Sequence, residues 1–530
     1  MGKIYFRTTA YNAEKTLRRC VESVLNQTYR SEDIIYYFCD NGSTDRTGEI
    51  IREYAEKDPR IRLFANRKNY AWEPQNREFT EFRRELNDED LLCFLDSDDA
   101  YELNFLEELL PFMEQNRLDI AVCGSAFVDA ASDKRLSVRA PEKPELFLNP
   151  AELADGFPLY HVYMRPMWGK IFRGEAARGI YTMETTPDYA KRLSYGNDTL
   201  CAFSALRHAK RIGISHKALH RYYVSPKSAS YQWDPGRIES DRILYDDAVG
   251  YLSALGPVSV QNRQFLQIVY ANAVTDTIRV LDHASLAPAD KLREYRDIAL
   301  YPLTQAAYRE CRHEHVSRSR ELLARFSLDA GRALKKQDDE DLRAVMRALF
   351  PRAGRVVSGA NAQLFLEDRE LFDALLQDDT ETILENLLTR METNRAARKY
   401  AVPETIQALA EDKPLLRQIG DSVFLRNYAS IYRLVWRGET LAALDEMTGL
   451  LLEGRAGGGQ ETFLRLYITL SAALEQAPAF VYGKLKLAQL CLRQKRLPEC
   501  RAIVTELEEI GLTDNEELDA LRRDLEAAGR

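Results

Sequence analysis

The chain has 530 residues and a net charge of −9, and 45% of its residues are hydrophobic. This length predicts two to four domains, and this composition excludes a disordered chain. The mild acidity and the lack of a sustained Lys/Arg run argue against nucleic acid as the main partner. The sequence has no signal-peptide pattern and no run of about 18 apolar residues, so we expect a soluble cytoplasmic protein, or one peripheral at the inner membrane face, without a membrane span.

Up to about residue 235, short apolar runs alternate with helical patterns. The first helical pattern can be capped by Asn12, and its apolar face contains Leu17 and Val21. Alternating strands and helices predict an α/β domain with a mostly parallel sheet that is covered by helices on both faces. The runs that predict strands are residues 4–8, 34–39, 60–65, 91–95 and 119–123.

Beyond Pro235 and Gly236 nearly every pattern is helical, which predicts an all-α region after the α/β domain. Helix pairs with Ala and Leu faces near the C-terminus resemble tetratricopeptide repeats, with a period close to 34 residues. We therefore predict three domains, which comprise residues 1–235, 236–400 and 401–530.

Polar side chains follow three of the predicted strands at the point where each strand ends. Tyr11 and Asn12 follow the first strand, Asp40 and Asn41 follow the second, and the acidic segment 96–99 follows the fourth. In an open parallel sheet, ligands bind at the carboxyl ends of the strands. These side chains are therefore expected to converge on one site.

The acidic segment reads Asp96-Ser97-Asp98-Asp99. Carboxylates so close together repel one another, and a hard divalent cation such as Mg²⁺ or Mn²⁺ would offset that repulsion. The alternative is a helix N-terminus, where acidic side chains offset the macrodipole. The position directly after a buried strand, beside the turn at Asp40, favours the metal.

Six segments together resemble family-2 glycosyltransferases with the GT-A fold, in the right order over about the first 230 residues. The resemblance implies transfer of a sugar from a nucleoside-diphosphate sugar, UDP-linked in the first instance, to a hydroxyl group of a glycan or glycan-lipid acceptor, with inversion and with Mn²⁺ or Mg²⁺ as cofactor. The segments are residues 9–29 (TAYNAEKTLRRCVESVLNQTY), 40–51 (DNGSTDRTGEII), 91–110 (LLCFLDSDDAYELNFLEELL), 167–175 (MWGKIFRGE), 195–206 (YGNDTLCAFSAL) and 218–230 (ALHRYYVSPKSAS).

The resemblance also implies a role for individual residues. Asp40 would hold the nucleotide base, Asp96 the ribose, and Asp98 the metal ion, with Asp96 beside it. Asp198 would be the general base, although a helix N-cap is an alternative for this residue. His220 would be a further metal ligand, or an ordinary buried histidine. The remaining residues divide between the donor side (Tyr11, Asn12, Asn41, Gln75 and Arg221) and the acceptor side (Trp168, Lys170 and Asn197).

The sequence departs from the family pattern at a few of these positions. Asn41 replaces a frequent second Asp, Gln75 stands where an Arg is common, and Asn197 replaces the Glu of a Glu-Asp pair. An alternative hypothesis is therefore a catalytically degenerate domain that acts, with the helical region, as a protein-interaction scaffold. A nucleotidyltransferase is a further alternative, but it would need a Gly-rich, Lys-containing phosphate loop near the first strand. The sequence there does not supply such a loop. The helical region could bind a protein partner or a second copy of the chain.

Overall fold

The computed structural model describes residues 2–29, 33–69, 79–80, 82–182, 184–224, 232–334, 340–393, 422–457 and 459–528, with five single residues between 405 and 419. These residues form two compact units. The first comprises Met1–Ser285 and Ala306–Ser319, and the second comprises Leu286–Gln305 and Arg320–Arg530. The predicted boundaries at residues 235 and 400 stay predictions.

The first unit contains the α/β domain. Its described strands are β1 (Ile4–Ala10), β2 (Ile34–Asp40), β3 (Ile61–Ala65), β4 (Leu91–Phe94), β5 (Ala100–Tyr101), β6 (Ile120–Asp129), β7 (Arg135–Arg139), β8 (Glu145–Phe147), β9 (Lys170–Arg173) and β10 (Ile212–Val224). Its helices are α1 (Leu17–Leu25), α2 (Thr47–Lys57), α3 (Phe105–Gln115), α4 (Pro150–Asp155), α5 (Phe157–Met164), α6 (Gly174–Gly179), α7 (Asn197–Leu206), α8 (Arg237–Leu255) and α9 (Val260–His283).

One sheet contains all ten of these strands, in the order β3-β2-β1-β4-β9-β6-β10-β5, with β7 on β6 and β8 on β10. The pairs β3–β2, β2–β1, β1–β4 and β6–β10 are parallel. The short strand β9 enters between β4 and β6 in the antiparallel direction, and β5, β7 and β8 also pair antiparallel. The predicted α/β class is confirmed, and the sheet is mixed.

Helices cover both faces of this sheet because the buried side chains of each strand alternate between two cores. Phe6 and Cys93 belong to the core that α1, α2 and α3 cover. Tyr5 and Leu92, one position earlier on the same strands, belong to the opposite core with residues of α5, α7 and α8. Side chains of successive strand residues point to opposite faces, so strands buried on both sides read as continuous apolar runs.

The first helix begins at Leu17 and its N-cap is Thr16, so the prediction that Asn12 caps it is wrong. The side chain of Asn12 instead accepts a hydrogen bond from the backbone of the loop after β2 (Thr44 N, 2.8 Å). Local competition between a cap and a longer-range partner cannot be decided by sequence spacing alone.

The described part of the second unit is helical, which confirms the predicted helical region. The helices are α10 (Pro288–Leu300), α11 (Pro302–Glu310), α12 (Glu314–Ala333), α13 (Glu340–Leu349), α14 (Ala362–Glu367), α15 (Arg369–Leu376), α16 (Thr380–Thr393), α17 (Ser422–Asn427), α18 (Ala429–Arg437), α19 (Thr440–Leu452), α20 (Gln460–Ala473), α21 (Ala477–Arg493), α22 (Leu497–Glu509) and α23 (Glu516–Ala528). The last residues of α11 and the first residues of α12 are assigned to the first unit. Side chains of α20 to α23 share one apolar core. The tetratricopeptide character stays a prediction. Over the described residues, every helix is too short or too polar to cross a membrane.

Candidate active site

The strand order brings the predicted polar residues to one edge of the sheet. Strand β1 lies between β2 and β4 and is parallel to both, so the loops after these three strands are neighbours. Asn12, Asp40 and the segment 96–99 lie in these loops. The convergence expected from the sheet-edge rule is therefore present.

The loops after β1 and β2 are tied together around Asp40. Asp40 is 8% exposed, and its Oδ1 accepts a hydrogen bond from Ser43 N (3.0 Å). Asn12 has a left-handed backbone (φ 50°), and its N–H donates to Ser43 Oγ (3.1 Å). Gly48, in the first turn of α2, lies so close to Asp40 that a β-carbon there would be 2.6 Å from Oδ2. These contacts fix the position of Asp40 at the carboxyl end of β2.

The hydrogen bonds of Asn41 explain why an amide stands where the family pattern often has a second Asp. Asn41 is 3% exposed, and its Oδ1 accepts a hydrogen bond from Asn66 Nδ2 (2.8 Å) while its Nδ2 donates to Asn69 Oδ1 (2.8 Å). An amide can donate and accept at once, whereas a carboxylate can only accept. Asn41 therefore links β2 to the segment that follows β3, and its donor-side role stays a prediction.

Asp96, Asp98 and Asp99 form an acidic cluster in which one carboxylate oxygen from each residue lies within 4.8 Å of the other two. Desolvation, followed by the charges of Asp198, Asp99 and Asp98, raises the pKa of Asp96 well above its ordinary value. Burial and the charge of Asp98 likewise raise the pKa of Asp99. Three oxygens that repel one another at this spacing suit a hard divalent cation.

The alternative reading of the cluster as a helix N-terminus does not match the structure. Strand β5 follows the cluster directly, and α3 starts only at Phe105, with Asn104 as its N-cap. The acidic side chains therefore do not offset the macrodipole of that helix.

One face of α1 and its N-cap holds the backbone of the acidic loop. Thr16 Oγ1 donates to the Ser97 carbonyl (3.0 Å), and Cys20 Sγ donates to the Asp96 carbonyl (3.4 Å). Arg19 donates to the Asp98 carbonyl, and its guanidinium lies 3.2 Å from the centroid of the Tyr223 ring. Positions 16, 19 and 20 share one helix face, so a single element fixes three successive carbonyls. Sequence reasoning missed these residues, whose only signal is their helical spacing.

His220 reaches the acidic cluster through Asp99. Both side chains are almost fully buried, and His220 Nε2 lies 3.3 Å from Asp99 Oδ2 without the angles of a hydrogen bond. Asp99 Oδ1 accepts a hydrogen bond from Tyr223 N (2.8 Å), and the ring of His220 stacks on Trp168 with centroids 4.2 Å apart. Burial, with a smaller effect of Lys170, lowers the pKa of His220 to about 3. Its predicted role as a metal ligand stays a prediction.

Asp198 lies in the first turn of α7, where it is exposed to solvent. Its charge is one of the causes that raise the pKa of Asp96, after desolvation. The N-cap of α7 is Gly196 (φ 84°), so Asp198 does not cap this helix. Desolvation raises the pKa of Asp198, while Lys170 lowers it. A carboxylate of raised pKa is a stronger base, which suits the predicted role.

Lys170, at the start of β9, is completely buried beside Asp198. Its Nζ donates to the Trp168 carbonyl (3.1 Å) and to the Pro166 carbonyl. Burial lowers its pKa to about 7, although Cys123 and Asp198 act in the opposite direction. Lys170 therefore holds the loop that presents Trp168, and contact of either residue with an acceptor stays a prediction.

The segment before Asp198 is fastened to one stripe of α8. Tyr195 OH donates to Asp241, and Ser194 N donates to Ser240 Oγ (2.9 Å). The guanidinium of Arg237 lies 4.3 Å from the centroid of the Tyr195 ring. Helix α8 follows the predicted end of the α/β domain, so this connection was not predictable from the sequence.

The other predicted residues are more peripheral. Arg221 forms ion pairs with Asp133 (3.2 Å) and Glu102 (3.9 Å), and Tyr11 is 45% exposed. Asn197 is half-buried at the start of α7. Gln75 lies outside the described residues. The donor-side and acceptor-side roles of all four stay predictions.

Comparison with curated proteins gives the class of this protein. It is 23% identical over 308 residues to the uncharacterized glycosyltransferase EpsJ of Bacillus subtilis (strain 168), which covers 58% of this chain and 86% of that protein. It is 35% identical over 136 residues to an uncharacterized glycosyltransferase of Haemophilus influenzae, over 25% of this chain and 51% of that protein. Together with the fold and the acidic cluster, these similarities identify the protein as a glycosyltransferase.

The family follows from a more specific match. Residues 7–174 match the model of Glycosyl transferase family 2, so the chain carries a family-2 glycosyltransferase domain, as its motifs indicated. Among solved structures, this chain is similar to that of S. aureus TarS 1-349 in complex with UDP-GlcNAc. The match covers 72% of this chain and 89% of the TarS chain, with 17% identity and a TM-score of 0.35.

Proposed function

We propose that this glycosyltransferase moves a sugar from a nucleoside-diphosphate sugar, UDP-linked in the first instance, to a hydroxyl group of a glycan or glycan-lipid acceptor, with inversion and with a divalent cation. The observation that carries the proposal is the acidic cluster after β4 at the carboxyl edge of the sheet, where Asp96, Asp98 and Asp99 each offer one oxygen within 4.8 Å of the others. A transferase of this kind needs a cation site and a base beside it.

Asp98 and Asp96 would hold Mn²⁺ or Mg²⁺, with Asp99 behind them. The bound cation would stabilise the negative charge that develops on the diphosphate leaving group. Asp40 would accept hydrogen bonds from the nucleotide base, at a position fixed by Ser43 and Gly48. The donor would thus lie across the loops after β2 and β4.

Asp198 would remove the proton from the acceptor hydroxyl as its oxygen attacks the anomeric carbon. The carbon–oxygen bond to the diphosphate breaks on the opposite side of the sugar, so the configuration inverts. Desolvation raises the pKa of Asp198, although this residue is exposed, and a raised pKa makes the carboxylate a stronger base. Positive charge on Lys170 would stabilise the carboxylate form between turnovers.

Two variants separate binding from chemistry. Asp98→Ala is expected to abolish the Mn²⁺-dependent part of UDP binding in calorimetry, whereas Asp198→Asn is expected to bind UDP as the wild type does. Asp198→Asn should nevertheless lower the rate of transfer or of donor hydrolysis by about 10²–10⁴-fold, the range for loss of a general base. The proposal fails if UDP and GDP bind the wild type no better with Mn²⁺ than with chelator.

A further inference from the structure

A strip of aromatic side chains leads away from the proposed acceptor side of the site. Trp168 stacks on His220, the centroids of Trp168 and Tyr222 are 5.6 Å apart, and those of Tyr222 and Phe127 are 5.3 Å apart. Trp168, Tyr222 and Phe127 are each half-buried, so every ring keeps part of its surface open to solvent. We call these three residues the aromatic strip.

The strand register explains why the strip is continuous. Tyr222 in β10 pairs directly with Phe127 in β6, and His220 pairs with Ser125 two positions earlier. Residues two apart on a strand share a face, so His220, Tyr222 and Phe127 all point to the same side of the sheet. The strip therefore begins at Trp168, which stacks on the ring of His220 beside Asp99, and continues along one surface of the sheet.

The strip ends at a guanidinium. Arg139 in β7 pairs with Ser125, and its guanidinium carbon lies 4.8 Å from the centroid of the Phe127 ring. Within the part of the chain that the structure describes, Arg139 makes no ion pair with a carboxylate. Burial and, less strongly, the neighbouring charge of Arg165 lower its pKa. An arginine without a counter-ion, next to a second positive charge, attracts an anion.

Beside Arg139 the surface forms an open depression of about 470 Å³, lined by Phe127, Ser137, Val138, Arg139, Ala140 and Tyr163. This volume lies within the range of about 300–1,000 Å³ that is usual for small-ligand sites. The depression therefore has room for a sugar ring and a charged substituent, with aromatic, hydroxyl and guanidinium groups around them.

We propose that the aromatic strip and Arg139 form an extended acceptor site that binds an anionic glycan. The C–H faces of successive sugar rings would contact the exposed parts of Trp168, Tyr222 and Phe127, whose planes are tilted by 38° and 55° from one ring to the next. A carboxylate or phosphate on the glycan would form an ion pair with the guanidinium of Arg139. This inference rests on the proposed function, because it assigns the acceptor class of that same site.

Calorimetry of the full-length protein, without donor, tests the proposal with three probes of equal length. These are neutral maltohexaose, phosphorylated maltohexaose and the carboxylate-bearing hexasaccharide of hyaluronan. At least one anionic probe is expected to bind about tenfold or more tightly than the neutral probe, as a charge-assisted bidentate contact allows. The two anionic probes distinguish phosphate from carboxylate as the preferred substituent.

Arg139→Ala and Phe127→Ala are each expected to weaken binding of the preferred probe by about tenfold. Phe127→Leu, which keeps apolar volume but removes the flat ring, gives the same test if Phe127→Ala does not fold. Arg135→Ala is the matched control, because Arg135 lies on the same strand beyond an irregularity in the register and does not line the depression beside Arg139. This control should bind as the wild type does.

Equal binding of neutral and anionic probes, no binding of any probe, or an equal loss in Arg135→Ala would overturn the proposal. These outcomes are distinct from failure of the proposed transferase function, which would appear as a lack of Mn²⁺-dependent UDP binding by the wild type. Glycan binding is measured without nucleotide or metal, so the two results are independent.

Discussion

Gly48→Ala tests the role proposed for Asp40 without altering the carboxylate itself. A β-carbon at residue 48 would lie 2.6 Å from Asp40 Oδ2, whereas an ordinary contact begins near 3.4 Å. The carboxylate must therefore retreat by about 0.8 Å. Such a shift would lengthen the 3.0 Å hydrogen bond from Ser43 N and displace the oxygen that is proposed to meet the nucleotide base.

The expected effects on stability and on binding differ in size. Alanine favours a helix over glycine by up to about 1 kcal/mol, which offsets part of the weakened hydrogen bond at Asp40. We therefore expect the free energy of unfolding to change by less than about 2 kcal/mol. UDP affinity should fall by about tenfold or more, because a hydrogen bond to a charged group contributes ~1.5–3 kcal/mol and ~1.4 kcal/mol is a factor of ten.

Calorimetric titration with UDP and Mn²⁺, together with urea unfolding, measures both quantities. Gly449→Ala is the matched control, because Gly449 is also helical, in α19, but a β-carbon there meets no heavy atom within 4 Å. It should keep the UDP affinity of the wild type and be as stable or more stable. A Gly48→Ala protein that binds UDP with wild-type affinity would refute the proposed contact between Asp40 and the base.

Two further predictions concern the acceptor side. Burial lowers the pKa of Lys170 from 10.5 to about 7, so between pH 7 and 9 the unfolded chain binds this proton and the folded chain loses it. In urea unfolding, the free energy of unfolding of the wild type, relative to that of Lys170→Met, should rise with increasing pH by up to about 1.4 kcal/mol per pH unit. Parallel pH profiles of the two proteins would contradict this. Tyr195→Phe should lower kcat by about 10–100-fold with an unchanged donor KM, because Tyr195 fastens the segment before Asp198 to α8. Tyr189→Phe, which loses a hydrogen bond to Asp247 on the same helix, should keep kcat, and an equal loss in both variants would show a general effect of folding.

The parts of the fold that the sequence predicts are those with long apolar runs. Strands β2 and β4 lie almost where the runs 34–39 and 91–95 place them, because a strand buried on both faces needs consecutive apolar residues. The two-residue β5 and the four-residue β9 are too short to show a period, and β9 pairs antiparallel between two longer strands. Nothing local distinguishes such a segment from a loop.

The limits of prediction for the site have the same physical origin. Asp40 is the last residue of β2 and Asp98 lies in the loop after β4, so the sheet-edge rule finds them without a structure. Arg19 and Asp241 act through contacts with residues far away in the chain, at Asp98 and at Tyr195. Helix α8 has the same helical pattern as the region after it, and only its packing shows that it belongs to the first unit. Sequence spacing therefore identifies the carboxylates and misses what positions them.

The segment from Asn12 to Cys20 connects the two halves of the proposed donor site. At its start, Ala13 N donates to Thr47 Oγ1 (2.7 Å) and Asn12 N donates to Ser43 Oγ (3.1 Å), which fix the loop beside Asp40. At its end, Thr16, Arg19 and Cys20 hold the carbonyls of the acidic loop. A nucleoside diphosphate must reach from the base contact to the cation in one conformation, so the distance between these loops has to be constant. A short segment hydrogen-bonded at both ends limits changes in that distance, because its first residues bond to Ser43 and Thr47 and the start of α1 bonds to the acidic loop.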